Sequence, residues 1–132
     1  MTRALLDTSA YSAFKRGHPG ILRRIGEADE IALNTIVLGE LHSGFRRGSL
    51  RRRNEEELET FLASPRVSVI KLDEETADRY ATIVEALRNA ATPIPTNDIW
   101  IASTAMQHGL VVLTTDEHYK RVSQVIVEHF AP

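Results

Sequence analysis

The sequence has no cysteine. Disulfides, thiolate-held zinc and cysteine nucleophiles are therefore excluded. The composition suits a reducing cytoplasm, which is the expected compartment. No apolar run approaches the roughly 18 residues that a membrane helix needs. The N-terminus offers only three consecutive apolar residues before Asp7 and does not read as a secretory leader. Gly-x-Gly-x-x-Gly, P-loop and Gly-x-Ser-x-Gly patterns do not occur, so dinucleotide binding, P-loop nucleotide binding and serine hydrolysis lack their signatures. The five histidines, at 18, 42, 108, 118 and 129, show no zinc-ligand spacing. Positive charge is not in excess either. Sixteen basic residues face 18 acidic ones, for a net charge of −2. An all-round basic coat for nucleic acid is excluded, while a local basic patch is not.

What is present suits one domain spanning residues 1–132. At 14.8 kDa, size scaling predicts a folded surface of about 7,000 Å² against about 21,000 Å² for the extended chain. With 42% hydrophobic and 26% charged residues, the chain can build a core without staples.

Short apolar runs alternate with longer helical patterns. Strands are expected at Arg3–Leu6, Glu30–Asn34, Val67–Leu72, Leu110–Leu113 and Gln124–Glu128. Helices are expected at Thr8–Lys15, Pro19–Glu27, Thr35–Arg47, Ser49–Ala63, from Asp73 to Ala91, and at Asp98–His108, the last stopped by Gly109. In the long helix from Asp73, a buried face of Ala77, Tyr80, Ala81, Val84 and Leu87 is expected. A short helix at His118–Val122 completes the set. This alternation predicts an α/β fold of three layers, α/β/α, around a parallel sheet of about five short strands. In such folds the site lies beyond the carboxyl ends of the strands, where strand order reverses.

Four acids fall near that place. Asp7 follows the first strand and Asp116 the fourth. Asp98 opens the helix leading into the fourth strand, and Glu40 lies inside the helix after the second. Asp7 and Asp116 also suit helix caps. Asp98 suits a helix dipole, with Thr96 or Asn97 as the cap. Glu40 shares a helical face with Ile36, Val37, Leu41 and Gly44, so its carboxylate needs a partner, either Arg46 or Arg47 or a metal ion. Gly39 and Gly44 cost the helix about 1 kcal/mol each and suggest close backbone packing. Like charges about 4 Å apart repel by about 4 kcal/mol at an effective dielectric near 20. Four converging carboxylates therefore call for a neutralising group. Oxygen donors favour a hard cation, Mg²⁺ or Mn²⁺, and with it phosphodiester hydrolysis.

Arg46, Arg47, Arg51, Arg52 and Arg53 form a second cluster. It reads equally as a solvated junction paired with Glu55, Glu56, Glu57 and Glu59, or as an RNA-phosphate surface. Tyr11 and Phe14 read as core or interface, Trp100 as core in preference to a base-stacking platform, and His118, near enough to Asp116 to reach the site, as surface in preference to a site residue.

Asp7-Thr8-Ser9, Gly39-Glu40-Leu41, Asn97-Asp98-Ile99-Trp100-Ile101-Ala102-Ser103 and Leu113-Thr114-Thr115-Asp116, in that order, resemble the PIN domain. More closely they resemble the VapC-type toxins of toxin–antitoxin pairs, over essentially the whole chain. The resemblance implies a Mg²⁺- or Mn²⁺-dependent endoribonuclease. It implies Asp7, Glu40, Asp98 and Asp116 as catalytic, metal-holding acids and Thr8, Ser9 and Thr114 as polar residues lining the site. Glu117, beside Asp116, is a further acid that either replaces or supports it. The resemblance also implies an RNA substrate, a homodimer, and a heterotetramer or larger assembly with a cognate antitoxin that puts a basic side chain into the acidic pocket. Two other readings fit a similar sheet. One is an aspartyl-phosphate phosphotransfer or phosphatase domain with Asp7 as nucleophile, which would need a late lysine, and Lys120 is the only one. The other is a non-catalytic RNA- or protein-binding module.

Overall fold

The computed structural model describes residues 2–132. Five strands form one sheet: β1 (Arg3–Leu6), β2 (Glu30–Asn34), β3 (Val67–Ile70), β4 (Val111–Thr114) and β5 (Val127–His129). The order is β3-β2-β1-β4-β5, and every neighbouring pair is parallel. Six helices connect them: α1 (Thr8–Lys15), α2 (Pro19–Glu27), α3 (Thr35–Arg47), α4 (Arg51–Leu62), α5 (Glu74–Asn89) and α6 (Thr96–His108). Glu117–Arg121 forms a 3-10 helix. Right-handed crossovers put α1 to α4 on one face of the sheet and α5 with α6 on the other, the expected three layers. The exposed surface is 7309 Å², close to the value that size scaling predicts.

The central strands are apolar because both faces are covered. Ala4, Leu5 and Leu6 of β1 and Val112 and Leu113 of β4 are fully buried. β3 is an edge strand, and its residues are only partly covered or exposed. Tyr11 is core, with its ring edge-on to Phe61 at 5.3 Å. Trp100 is half-buried and stacks on Tyr80 at 4.0 Å, holding α6 against α5.

Several boundaries differ from expectation. β5 starts three residues later than Gln124, because Ile126 is 70% exposed and lies in the turn before the strand. The buried residues of α5 are Thr76, Ile83 and Leu87; Ala77 and Ala81 face solvent. Small side chains on both sides hid that rotation. α6 begins at Thr96, with Pro95 at the N-cap, so neither Thr96 nor Asn97 caps it. Nothing lies within 4 Å of the Cβ that Gly39 or Gly44 lacks, so close packing within the chain does not explain either glycine.

The reversal of order falls between β1 and β4. The chain winds outward from β1 through β2 to β3, then returns to place β4 on the other side of β1. Asp7, just past β1, and Thr114 to Asp116, ending β4, therefore meet at one crevice.

Candidate active site

Asp7 sits at the floor of this crevice and is only 3% exposed. It caps α1, as its position suggested. Its Oδ1 accepts from the Ala10 amide at 2.8 Å and from Ser9 Oγ at 2.7 Å. Its Oδ2 accepts from Thr114 Oγ1 at 2.6 Å. Thr114 Oγ1 in turn accepts from the Asp116 amide at 2.9 Å, and Ser9 Oγ accepts from the Thr115 amide at 3.0 Å. Two hydroxyls thus tie the end of β4 to the start of α1. Burial pushes the Asp7 carboxyl up from 3.8 to about 6, against the lowering pull of Thr114, Ala10 and Ser9, with the nearby Asp98 charge adding to the rise.

Asp98, on the first turn of α6, is half-buried. Tyr119 donates its hydroxyl to Asp98 Oδ1 at 3.2 Å. His118 Nδ1 lies 3.0 Å from Asp98 Oδ2 and 3.0 Å from Asp116 Oδ1. Asp116 also caps the 3-10 helix through the His118 amide, at 2.9 Å. That tight turn swings both His118 and Tyr119 back to the crevice. His118 therefore lines the candidate site, the less favoured of the two readings its sequence position allowed. Burial raises the Asp98 carboxyl above its ordinary value; His118 opposes the rise and the Asp116 charge adds to it. Tyr119 is fully buried. Burial raises its phenol strongly, and Asp7, Asp98 and Glu40 all add to the shift. His118 links Asp98 to Asp116, Thr114 links the Asp116 amide to Asp7, and Asn97, the residue beside Asp98, donates to Glu40.

Glu40 completes the group from α3. It accepts from Thr8 Oγ1 and, at 3.2 Å, from Asn97 Nδ2. Neither Arg46 nor Arg47 is its partner. Asn34, at the end of β2, sets the frame. It caps α3 through the Val37 amide at 3.0 Å and donates to Thr104 of α6 at 3.0 Å. α3 and α6 thereby bring Glu40 and Asp98 to one opening, which Asn97, Asp116 and His118 also line. A polar residue closing an apolar strand was the one signal that marked Asn34.

The other candidates fall elsewhere. Glu117 turns to Lys120 at 2.8 Å and His129 at 3.4 Å, and the lysine holds its carboxyl below the ordinary range. Lys120 is thereby engaged away from Asp7, so the aspartyl-phosphate reading lacks the lysine it needs. Arg51, Arg52 and Arg53 pair with Glu55, Glu56 and Glu57 at 3.2, 3.4 and 3.0 Å.

Among the described residues, no lysine or arginine pairs with Asp7, Glu40, Asp98 or Asp116. Their one ionisable basic partner is His118. Two carboxylates and an imidazole, Asp98, Asp116 and His118, bring donor atoms within 4.8 Å of one another. Such an oxygen-rich set with a single nitrogen donor fits Mg²⁺ or Mn²⁺.

Comparison with known proteins agrees with this architecture. Residues 4–125 match the PIN domain. Ribonuclease VapC4 of Mycobacterium tuberculosis is 33% identical over 125 residues, covering 95% of each chain. A chain of VapBC2 from Rickettsia felis, solved bound to a DNA fragment from its promoter, superposes with a TM-score of 0.84 at 25% identity, covering 97% of this chain and 98% of that one. A chain of DNA-bound VapBC from Salmonella typhimurium gives 0.85 at 26% identity, covering 98% of both. Order of motifs, strand topology and near-complete coverage coincide, and the chain belongs to the PIN domain family, in its VapC group.

Proposed function

We propose that this protein is a Mg²⁺- or Mn²⁺-dependent endoribonuclease, a single PIN domain over residues 1–132 that acts as the toxin of a toxin–antitoxin pair. The observation that carries the reading is the grouping of Asp7, Glu40, Asp98 and Asp116 about one crevice where, among the described residues, no lysine or arginine pairs with them. Repulsion of that size persists in a fold when a cation offsets it.

Asp98 and Asp116 would hold the ion at the mouth, with His118 as a further donor or as the hydrogen-bond partner that orients both carboxylates. Asp7 would serve from the floor, its rotamer locked by Ser9, Ala10 and Thr114. Glu40 would close the opposite side, aligned by Thr8 and Asn97. A bound divalent ion supplies positive charge at the scissile phosphate and lowers the pKa of water enough to make a nucleophile near neutral pH. The chain's own part is to fix the donors beforehand and to keep Tyr119 protonated as a permanent donor to Asp98.

The relatives' names support the rest of the reading. VapC4 is named a ribonuclease, and VapBC-5 of Mycobacterium tuberculosis is described as a member of a family of toxin–antitoxin systems. With that kinship as support, the reading extends to a cytoplasmic homodimer silenced by an antitoxin in a heterotetramer or larger complex. Among the described residues no helix is long and apolar enough to cross a membrane.

The test is cleavage of a structured RNA pool by the purified protein with Mn²⁺, with Mg²⁺ and with EDTA, beside the Asp98→Asn variant. Cutting that needs the metal and is lost in the variant is the expected result. No cutting, together with no detectable Mn²⁺ binding, would leave a non-catalytic module.

A further inference from the structure

The opening at Glu40 does not end at the acids. A cleft of about 580 Å³ continues along α3, lined by Thr8, Glu40 and Asn97 beside its middle and by Thr35, Gly39, Ser43 and Arg47 along its length. The last four are spaced by four residues and form one stripe on the helix. At 1.5 Å of rise per residue the stripe is about 18 Å long.

Two residues on it lack an explanation within the chain. Gly39 lies in a helix interior, where glycine is unfavourable. Nothing stands within 4 Å of the Cβ it lacks, so no neighbour requires the glycine. Its effect is to leave the cleft floor bare, so that another molecule's backbone can lie against α3. Arg47 donates to Ser43 Oγ at 3.1 Å and, among the described residues, pairs with no carboxylate. The three arginines that follow differ, because each is matched by a glutamate one turn on. Glu40 shares the cleft with Arg47 but bonds Thr8 and Asn97 instead. The cleft thus carries an acid beside its middle and, two helical turns on, a cation that meets no carboxylate among the described residues. Ser43 occupies one of the five guanidinium donors and steadies the group, leaving the rest for a phosphate.

We propose that this cleft is the track for a single strand of RNA. The scissile phosphate lies beside Glu40, the sugar–phosphate backbone continues over Gly39 to one side, and Arg47 takes a flanking phosphate on the other. The proposal rests on the ribonuclease reading and adds the path of the substrate to it. An anionic chain suits both places, the acids through a bound divalent ion and Arg47 directly. A basic antitoxin segment would suit only the acids.

The test measures binding of fluorescent oligouridylate over a range of salt, in the chain with its acids intact and with Ca²⁺ in place of Mn²⁺, so that the acids are neutralised while the probe survives. Arg47→Ala should weaken binding and flatten the slope of log affinity against log salt by about 0.7, the share of one phosphate contact on a single strand. Arg52→Ala, whose charge is already paired, should leave the slope unchanged. Gly39→Leu should abolish binding while the thermal midpoint holds or rises, since its side chain enters open space. An unchanged slope in Arg47→Ala, or full affinity in a folded Gly39→Leu chain, would overturn the track. So would an Arg47→Ala chain that binds RNA normally but loses its hold on the antitoxin, which would make Arg47 a protein contact. Cleavage by the same chain with Mn²⁺ is read separately. RNA that binds through Arg47 and is never cut keeps the track and removes the nuclease reading.

Discussion

Asp7 is the cap of α1 and also the one acid of the four that is fully buried, and the two roles pull on its proton in opposite directions. Three donors favour the carboxylate; burial outweighs them and raises the group to about 6. Below its unfolded value of 3.8 both states hold the proton, and ionisation costs nothing. Between 3.8 and about 6 the folded state binds more protons, so stability falls as pH rises through that window. At about 1.4 kcal/mol per pH unit the loss totals about 3 kcal/mol and is complete above the folded value. Asp7→Asn removes the cost, because Thr114 Oγ1 can accept as well as donate. Its gain in thermal midpoint over the native chain should be larger at about pH 8 than at about pH 4; equal gains would show that the buried charge is not the cause. Thr114→Val acts in the other direction. It strips a hydroxyl from Asp7 and from the Asp116 amide, and should lower stability by about 1–3 kcal/mol in denaturant unfolding. At this scale the acids were legible, because carboxylates beside strand ends and on an apolar helix face stand out. Tyr119 was not, and His118 only through its nearness to Asp116. A lone histidine and a tyrosine in a short turn carry no spacing signal, and only the 3-10 geometry aims them inward.

The helix ends show which local rules the chain follows and which it breaks. α6 ends on Gly109 at φ 65°, with the Leu110 amide returning to the Ala105 carbonyl at 3.0 Å. α5 ends in the same way. The Thr92 amide reaches the Leu87 carbonyl at 3.0 Å and the Ala91 amide reaches Arg88 at 3.0 Å. Here, however, the left-handed residue is Ala91, at φ 54°. A Cβ there clashes with the carbonyl that follows. Ala91→Gly should therefore stabilise the protein by about 0.5–1 kcal/mol, after allowing for glycine's greater freedom in the unfolded chain. Destabilisation in a denaturant titration would show that Ala91 packs in a way that outweighs its strain. The stop at Gly109 could be read from sequence because glycine announces it. The stop at Ala91 could not, because nothing in an Ala-Ala-Thr run marks a reversal of handedness. The start of α5 follows its rule. Asp73 and Thr76 cap each other, and the Thr76 amide with Gln107 holds the Asp73 carboxyl below its ordinary value. That cap stabilises above the unfolded value and is lost as pH falls through the folded one. The deficit in thermal midpoint of Asp73→Ala should accordingly shrink on acidification.

Across the whole molecule, the layered sheet followed from alternation of short apolar runs with helical patterns, and the crevice followed from β1 and β4 being neighbours. Which arginines would be free did not follow. Arg47 and Arg51–Arg53 look alike in sequence, and only one turn of helical rise decides which of them meet a glutamate. The global prediction concerns the cation. A ligand that binds only the folded state at about a hundred times its dissociation constant adds about 2.7 kcal/mol. Mn²⁺ should therefore raise the thermal midpoint, EDTA should reverse the rise, and the Asp98→Asn, Asp116→Asn double variant should show neither.

The hydrogen bond between Thr114 and Asp7 spans 107 positions of chain. β1 can pair with β2 early in translation, but its other edge stays open until β4 has left the ribosome. Asp98 and Asp116 take their places only after that. Elongation proceeds at about 5–20 residues per second, so several seconds separate synthesis of Asp7 from that of Asp116. The candidate site is assembled only with the closing of the sheet, and a binding partner has that interval in which to arrive.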